Sequence, residues 1–125
     1  MRAVVKNGIG IFTPQGFLDG SSGNSFLSLD DIEGTITQNA DMILVSLKKV
    51  IFFNRNGLDS FVKMFQKVRS ANHCTVGFCD YDTKKYAAIV KFYQDDLNFS
   101  LFKTQEIATL FSANYKNQNK NILLY

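Results

Sequence analysis

The sequence has no tryptophan, one proline, one histidine and two cysteines among its 125 residues. Each scarcity removes a class of protein. A structural zinc site needs four ligands in a recognisable spacing, and His73, Cys74 and Cys79 fall short of that. Along a strand Cys74 and Cys79 are separated by an odd step, so they point to opposite faces and read as two core thiols. No apolar run is long enough to span a bilayer, and "MRAVVKNGIG" has no signal-peptide core. Cysteines without an export signal are free thiols of a reducing compartment, which places the chain in the cytoplasm. Nor is there a basic stripe. The net charge is +3, and setting aside Lys116 and Lys120 leaves +1 for Met1 to Ser112. A nearly neutral body argues against a dedicated nucleic-acid binder, which becomes a minor hypothesis.

Catalytic constellations are missing as well. Asp30, Asp31 and Glu33 are the densest acidic run, and they read as the solvated first turn of a helix, where carboxylates answer its positive end. "GIGIFTPQG" has spaced glycines but neither the dinucleotide fingerprint nor a phosphate-loop lysine. The expectation is no enzyme, no cofactor and no metal.

What the chain has is phenylalanine, 12 residues of it, within a hydrophobic share of 46%. That share, with 20% charged residues, is ordinary for one ordered domain with an aromatic core. Such a core leaves little spare volume for a large pocket. "GIGIFTPQGFLDG" reads as a strand, a turn at Pro14–Gly16, and a second short apolar piece at Phe17 and Leu18. In "SLDDIEGTITQN", Ser28 and Asp31 have capping-box spacing and Leu29, Ile32 and Ile36 share a helical face. "MILVSLKKV" (Met42 to Val50) is an almost continuous apolar run, the pattern of a strand buried on both sides. Leu58, Phe61, Val62, Phe65 and Val68 then recur at helical spacing, opposite Lys63, Gln66, Lys67 and Arg69. "CTVGFC" is a further strand. Asp82 caps a helix placing Tyr86, Ile89, Val90 and Tyr93 on one face. "NFSLF" is a strand candidate, and Thr104 caps a last helix through Ile107, Ala108, Leu110 and Phe111.

Alternating strands and helices with short connections predict an α/β fold. Its sheet is mixed and mainly parallel, with about five strands, an antiparallel edge supplied by the N-terminal strands, and helices packed on it. Residues 1–112 form the domain. Residues 113–125, polar and asparagine-rich before "NILLY", read as a linker leading into a further domain of a longer protein.

The turn "NRNGL" stands out. Asn54 or Asn56 can cap the helix that follows, and Gly57 permits close approach. Arg55, though, sets a cation at the positive end of a helix, a placement costing about 0.3–1 kcal/mol unless something answers it. Arg55 either extends into solvent or meets an acidic group on a partner.

In this order and spacing, Val4 to Phe111 resembles the STAS family of sulfate transporters and anti-sigma factor antagonists. "GFLDG", "MILVSLKKVIFF", "NRNGLDSF", "CTVGFC" and "NFSLFKTQEIATLF" correspond to successive elements of that family. Antagonists of the family carry an aspartate, two serines and a glycine at the turn, the first serine being a phosphorylation switch. Here the matching residues are Asn54, Arg55, Asn56 and Gly57, so the switch is absent. The resemblance implies a non-enzymatic, phosphorylation-independent interaction domain of a bacterial regulatory protein. Its partner is a protein or another domain of the parent chain, and a homodimer is left open. The implied docking face combines Asn54, Arg55, Asn56, Gly57, Leu58 and Lys63 with Asp19, Ser21 and Ser22. The alternative it implies is a small-ligand domain sensing a nucleotide or lipid.

Overall fold

Strand β4 (Met42–Ser46) is buried at every position, and the rest of the chain is arranged around it. The computed structural model describes residues 3–20, 31, 34–35, 40–72 and 74–113. The main sheet has the order β1-β2-β4-β6-β7, from Val4–Lys6, Ile9–Phe12, Met42–Ser46, Thr75–Cys79 and Ser100–Phe102. Only β1 runs antiparallel to its neighbour; β2, β4, β6 and β7 pair in parallel. Helix α1 (Arg55–Asn72) crosses from β5 (Val50–Phe53) to β6, and α2 (Thr83–Phe92) from β6 towards β7. A third helix, α3, occupies residues 105–113, and residues 31, 34 and 35 are also helical. The mixed, mainly parallel α/β sheet expected from the alternation is therefore the one observed.

Period-two alternation divides the core. Ile43 and Val45 of β4 join Phe12, Val76 and Phe78 beneath Leu58, Phe61, Val62, Phe65 and Val68 of α1 and Ile89 of α2. Met42 and Leu44 point the other way, into a smaller cluster with Ile9, Cys79, Phe102 and Ala108 of α3. Cys74 belongs to the first cluster and Cys79 to the second, both as free buried thiols, as the odd step between them requires. Phenylalanine dominates the larger cluster: the Phe78 ring meets Phe61, Phe65 and Phe99 edge-on at 6.4, 5.2 and 5.3 Å.

Three details differ from expectation. The run Met42–Val50 is not one strand. It breaks at Leu47, where the Val50 amide donates to the Leu47 carbonyl at 3.1 Å and Lys48 and Lys49 turn outward. The chain resumes as β5 (Val50–Phe53), which pairs in parallel with β3 (Gly16–Leu18) as a separate two-stranded ribbon. Two consecutive lysines cannot be buried at the edge of a sheet covered on both faces, so the chain leaves it there. The antiparallel edge, in turn, is made not across Pro14–Gly16 but by β1 with β2. Asn7 and Gly8 join them with φ of 55° and 80°, the twist that suits a two-residue hairpin. Finally, the apolar face expected of the last two helices is only partly covered: Ile89, Tyr93 and Ala108 are buried, while Tyr86, Ile107, Leu110 and Phe111 are exposed. Ser28, Leu29, Ile32, Ile36, His73 and the tail beyond Ala113 lie outside the described residues.

Candidate functional site

The turn after β5 is built by three hydrogen bonds. The Asn54 amide donates to the Leu18 carbonyl at 3.1 Å, tying the end of β5 to the end of β3. The Asn54 side-chain carbonyl accepts from the Gly57 amide at 2.9 Å, and its backbone carbonyl takes the first helical bond, from Leu58, at 3.2 Å. Asn54 is thus the N-cap of α1, satisfying one of the donors that a helix start leaves open. Gly57 is there for space. A Cβ on it would lie 1.8 Å from the Leu18 carbonyl oxygen, so only a hydrogen lets α1 approach β3. Just beyond β3, Gly20 (φ +87°) lies at the same point, where a Cβ on it would sit 3.1 Å from Asn56 Cβ.

Arg55 is exposed, yet it has partners within the chain. Its Nε lies 3.9 Å from Asp59 Oδ1, one helical turn on, and its guanidinium carbon is 5.4 Å from the centre of the Tyr93 ring. Tyr93 donates its phenolic hydrogen to the same Asp59 Oδ1 at 2.7 Å. Burial, then the hydrogen bond to the Asp59 carboxylate, push the Tyr93 phenol above its ordinary range, while the Arg55 charge pulls slightly the other way. Tyr93 therefore stays a neutral donor. The triad answers the positive charge that the helix dipole alone would disfavour.

Of the residues expected to form a docking face, Arg55, Asn56, Lys63 and Asp19 are exposed and Asn54 is half-buried. Gly57 and Leu58 are buried, and they shape the corner from beneath rather than present it. Ser21 and Ser22 lie outside the described residues. Beside Arg55 a groove of ≈ 350 Å³ runs between α1 and the end of α2, carrying Arg55, Lys63 and Lys91 against Asp59, Asp95 and Asp96. Of the functional residues missed in the sequence, Asp59 is legible as the i+4 acid to Arg55. Tyr93, on another element, is not.

A second polar cluster lies at the carboxyl ends of β4 and β6. Asp80, at φ 60°, accepts on Oδ2 from the fully buried Ser46 hydroxyl and from Gln105 Nε2, both at 2.6 Å, with Cys79 Sγ at 3.7 Å. It ties β4, β6 and α3 together. Burial first, then the Asp80 charge, drive the Cys79 thiol well above its ordinary 9.0. Among the described residues no group of three His, Cys, Asp or Glu side chains could hold a metal ion. No helix among them is long and apolar enough to cross a membrane.

No family model matches the sequence, and no curated protein matches it. Among solved structures, the chain is similar to that of the anti-sigma factor antagonist SpoIIAA in its unphosphorylated form. The match has a TM-score of 0.58 at 12% identity and covers 89% of this chain and 94% of that one. At such identity the likeness is one of fold: the chain has the STAS fold.

Proposed function

We propose that this domain is a non-enzymatic regulatory module of a bacterial protein. It docks an acidic protein surface through the corner formed by Asp19, Asn54, Arg55 and Asn56, with Lys63 two turns further along α1. The observation that carries this reading is the held cation. Arg55 is exposed, but Asp59 and Tyr93 limit its freedom, so less rotamer entropy is lost when a partner binds it. The likeness to an anti-sigma factor antagonist supports a regulatory role. The sequence of the turn supports constitutive docking, because Asn54-Arg55-Asn56-Gly57 offers no hydroxyl to a kinase.

The test is affinity capture from the source cells with wild-type bait and with Arg55→Glu and Lys63→Glu baits of matched folding. Loss of the same captured protein in both variants supports the corner. Equal yield from all three baits removes it. Phosphate found on Ser60 in domain isolated from those cells would end the claim of phosphorylation independence.

For the small-ligand alternative, a cavity of ≈ 590 Å³ lies among Arg69, Cys74, Thr75, Asn98 and Ser100, and the ≈ 350 Å³ groove beside the corner sets three cations against three carboxylates. A phosphate-bearing ligand gains little from so balanced a lining. A thermal-shift panel of nucleotides and lipids separates the readings, because a ligand at 100 times its Kd adds about 2.7 kcal/mol.

A further inference from the structure

The ribbon of β3 and β5 turns apolar side chains to water. Phe17, Ile51 and Phe52 are 60%, 72% and 51% exposed, and the Phe17 and Phe52 rings lie 6.4 Å apart on one face. An outward aromatic pair of this kind marks a surface that meets something apolar. The end of the ribbon is basic. Lys48 and Lys49 are exposed in the turn that leads into β5. The Lys49 carbonyl accepts from Gly16 at 3.0 Å, which fixes that turn beside the start of β3. Lys85 of α2 reaches the same turn, its Nζ 3.4 Å from the Leu47 carbonyl oxygen. Of the acids near that turn, Asp80 is engaged by Ser46 and Gln105, and Asp82, though exposed, accepts from the Lys85 amide as the N-cap of α2. The exposed Asp19 follows β3 at the far end of the ribbon.

We propose that the β3–β5 ribbon is a docking surface for an anionic lipid bilayer. Phe17, Ile51 and Phe52 enter the boundary between headgroups and acyl chains, and Lys48 and Lys49 face the lipid phosphates. Charge and size select this occupant. The exposed Lys48 and Lys49 at one end of the face match an anionic surface. A stable protein interface takes about 20–30 residues a side, far more than strands of three and four residues present. A bilayer needs no matching shape. A few apolar and aromatic side chains suffice, and each lysine near an anionic surface adds attraction. The Arg55 corner lies at the opposite end of the same ribbon from the lysine turn, and the proposal does not depend on it.

The experiment is co-sedimentation of the domain with phosphatidylcholine vesicles, with and without phosphatidylserine, at low and high salt. Binding is expected only to the phosphatidylserine vesicles and to fall with salt. Phe17→Ser with Phe52→Ser, and separately Lys48→Glu with Lys49→Glu, each lower the bound fraction roughly tenfold or more. Arg55→Glu leaves it unchanged, which separates this surface from the protein-docking corner. Because the chain has no tryptophan, Phe52→Trp installs a single reporter. Its emission shifts to the blue on phosphatidylserine vesicles if the ring enters the bilayer. The proposal is overturned if the wild type stays in the supernatant with both vesicles, or if the Phe52→Trp emission is unmoved. It is equally overturned if sedimentation velocity shows a dimer that Phe52→Ser abolishes.

Discussion

At the scale of single residues, Gly57 and Tyr93 carry the sharpest consequences. A methyl group at Gly57 cannot fit against the Leu18 carbonyl without parting α1 from the ribbon. Gly57→Ala is expected to cost about 3 kcal/mol, read as a lower urea midpoint with an unchanged slope. Tyr93 and Cys79 both hold their protons beyond the ordinary 10.0 and 9.0. Above about pH 9 the unfolded chain releases these protons first, so the native state binds more of them and stability falls as pH rises. Below the ordinary values this stabilisation is fully present. Urea titrations at rising pH should show the decline, and Tyr93→Phe should flatten the part above pH 10. At neutral pH the same substitution costs about 1–2 kcal/mol, because Asp59 loses a donor. The cap was legible as a choice between Asn54 and Asn56, both short polar side chains before an amphipathic run, and the hydrogen bond from Gly57 falls on Asn54. The partners of Arg55 were half legible: Asp59 follows from helical spacing, while Tyr93 arrives from a different helix and leaves no local mark.

At the scale of elements, the Asp80 carboxylate decides how α3 is held. Asp80→Ala strips a partner from Gln105 and leaves the fully buried Ser46 hydroxyl without its acceptor, for a loss of about 2 kcal/mol. Asp80→Asn should recover part of this, since asparagine tolerates positive φ and its carbonyl still accepts. Hydrogen exchange distinguishes a local effect from a global one: amides of α3 should accelerate more than those of α1. The alternation of elements could be read in advance because strands covered on both faces are continuously apolar and the main helix is cleanly amphipathic. The break at Leu47 was harder, because Val50–Phe53 is as apolar as β4 and only the paired lysines mark the corner. The hairpin at Asn7–Gly8 carried a standard turn signal, but the hydrophobic pattern of Val4–Lys6 was too short to stand out as a strand.

At the scale of the whole molecule, stability rests on phenylalanine. Phe78 is fully buried on the central side of β6 and touches aromatic rings from α1 and from Phe99. Phe78→Ala is expected to cost about 4 kcal/mol, a large share of the 5–15 kcal/mol that holds a typical domain together. Thermal melting should show it, and Phe78→Leu should cost markedly less. At 12% identity to SpoIIAA the common fold is carried by pattern rather than by particular residues. The order β1-β2-β4-β6-β7 has a consequence for synthesis on the ribosome. The first hairpin emerges early, but among the described strands its lateral partner in the main sheet is β4, whose own second neighbour β6 follows α1. A two-stranded hairpin is marginal in water. A nascent chain halted at Phe53 therefore still shows Phe12, Ile43 and Val45 to solvent, and resistance to protease should arise in one step, once Cys79 has left the exit tunnel.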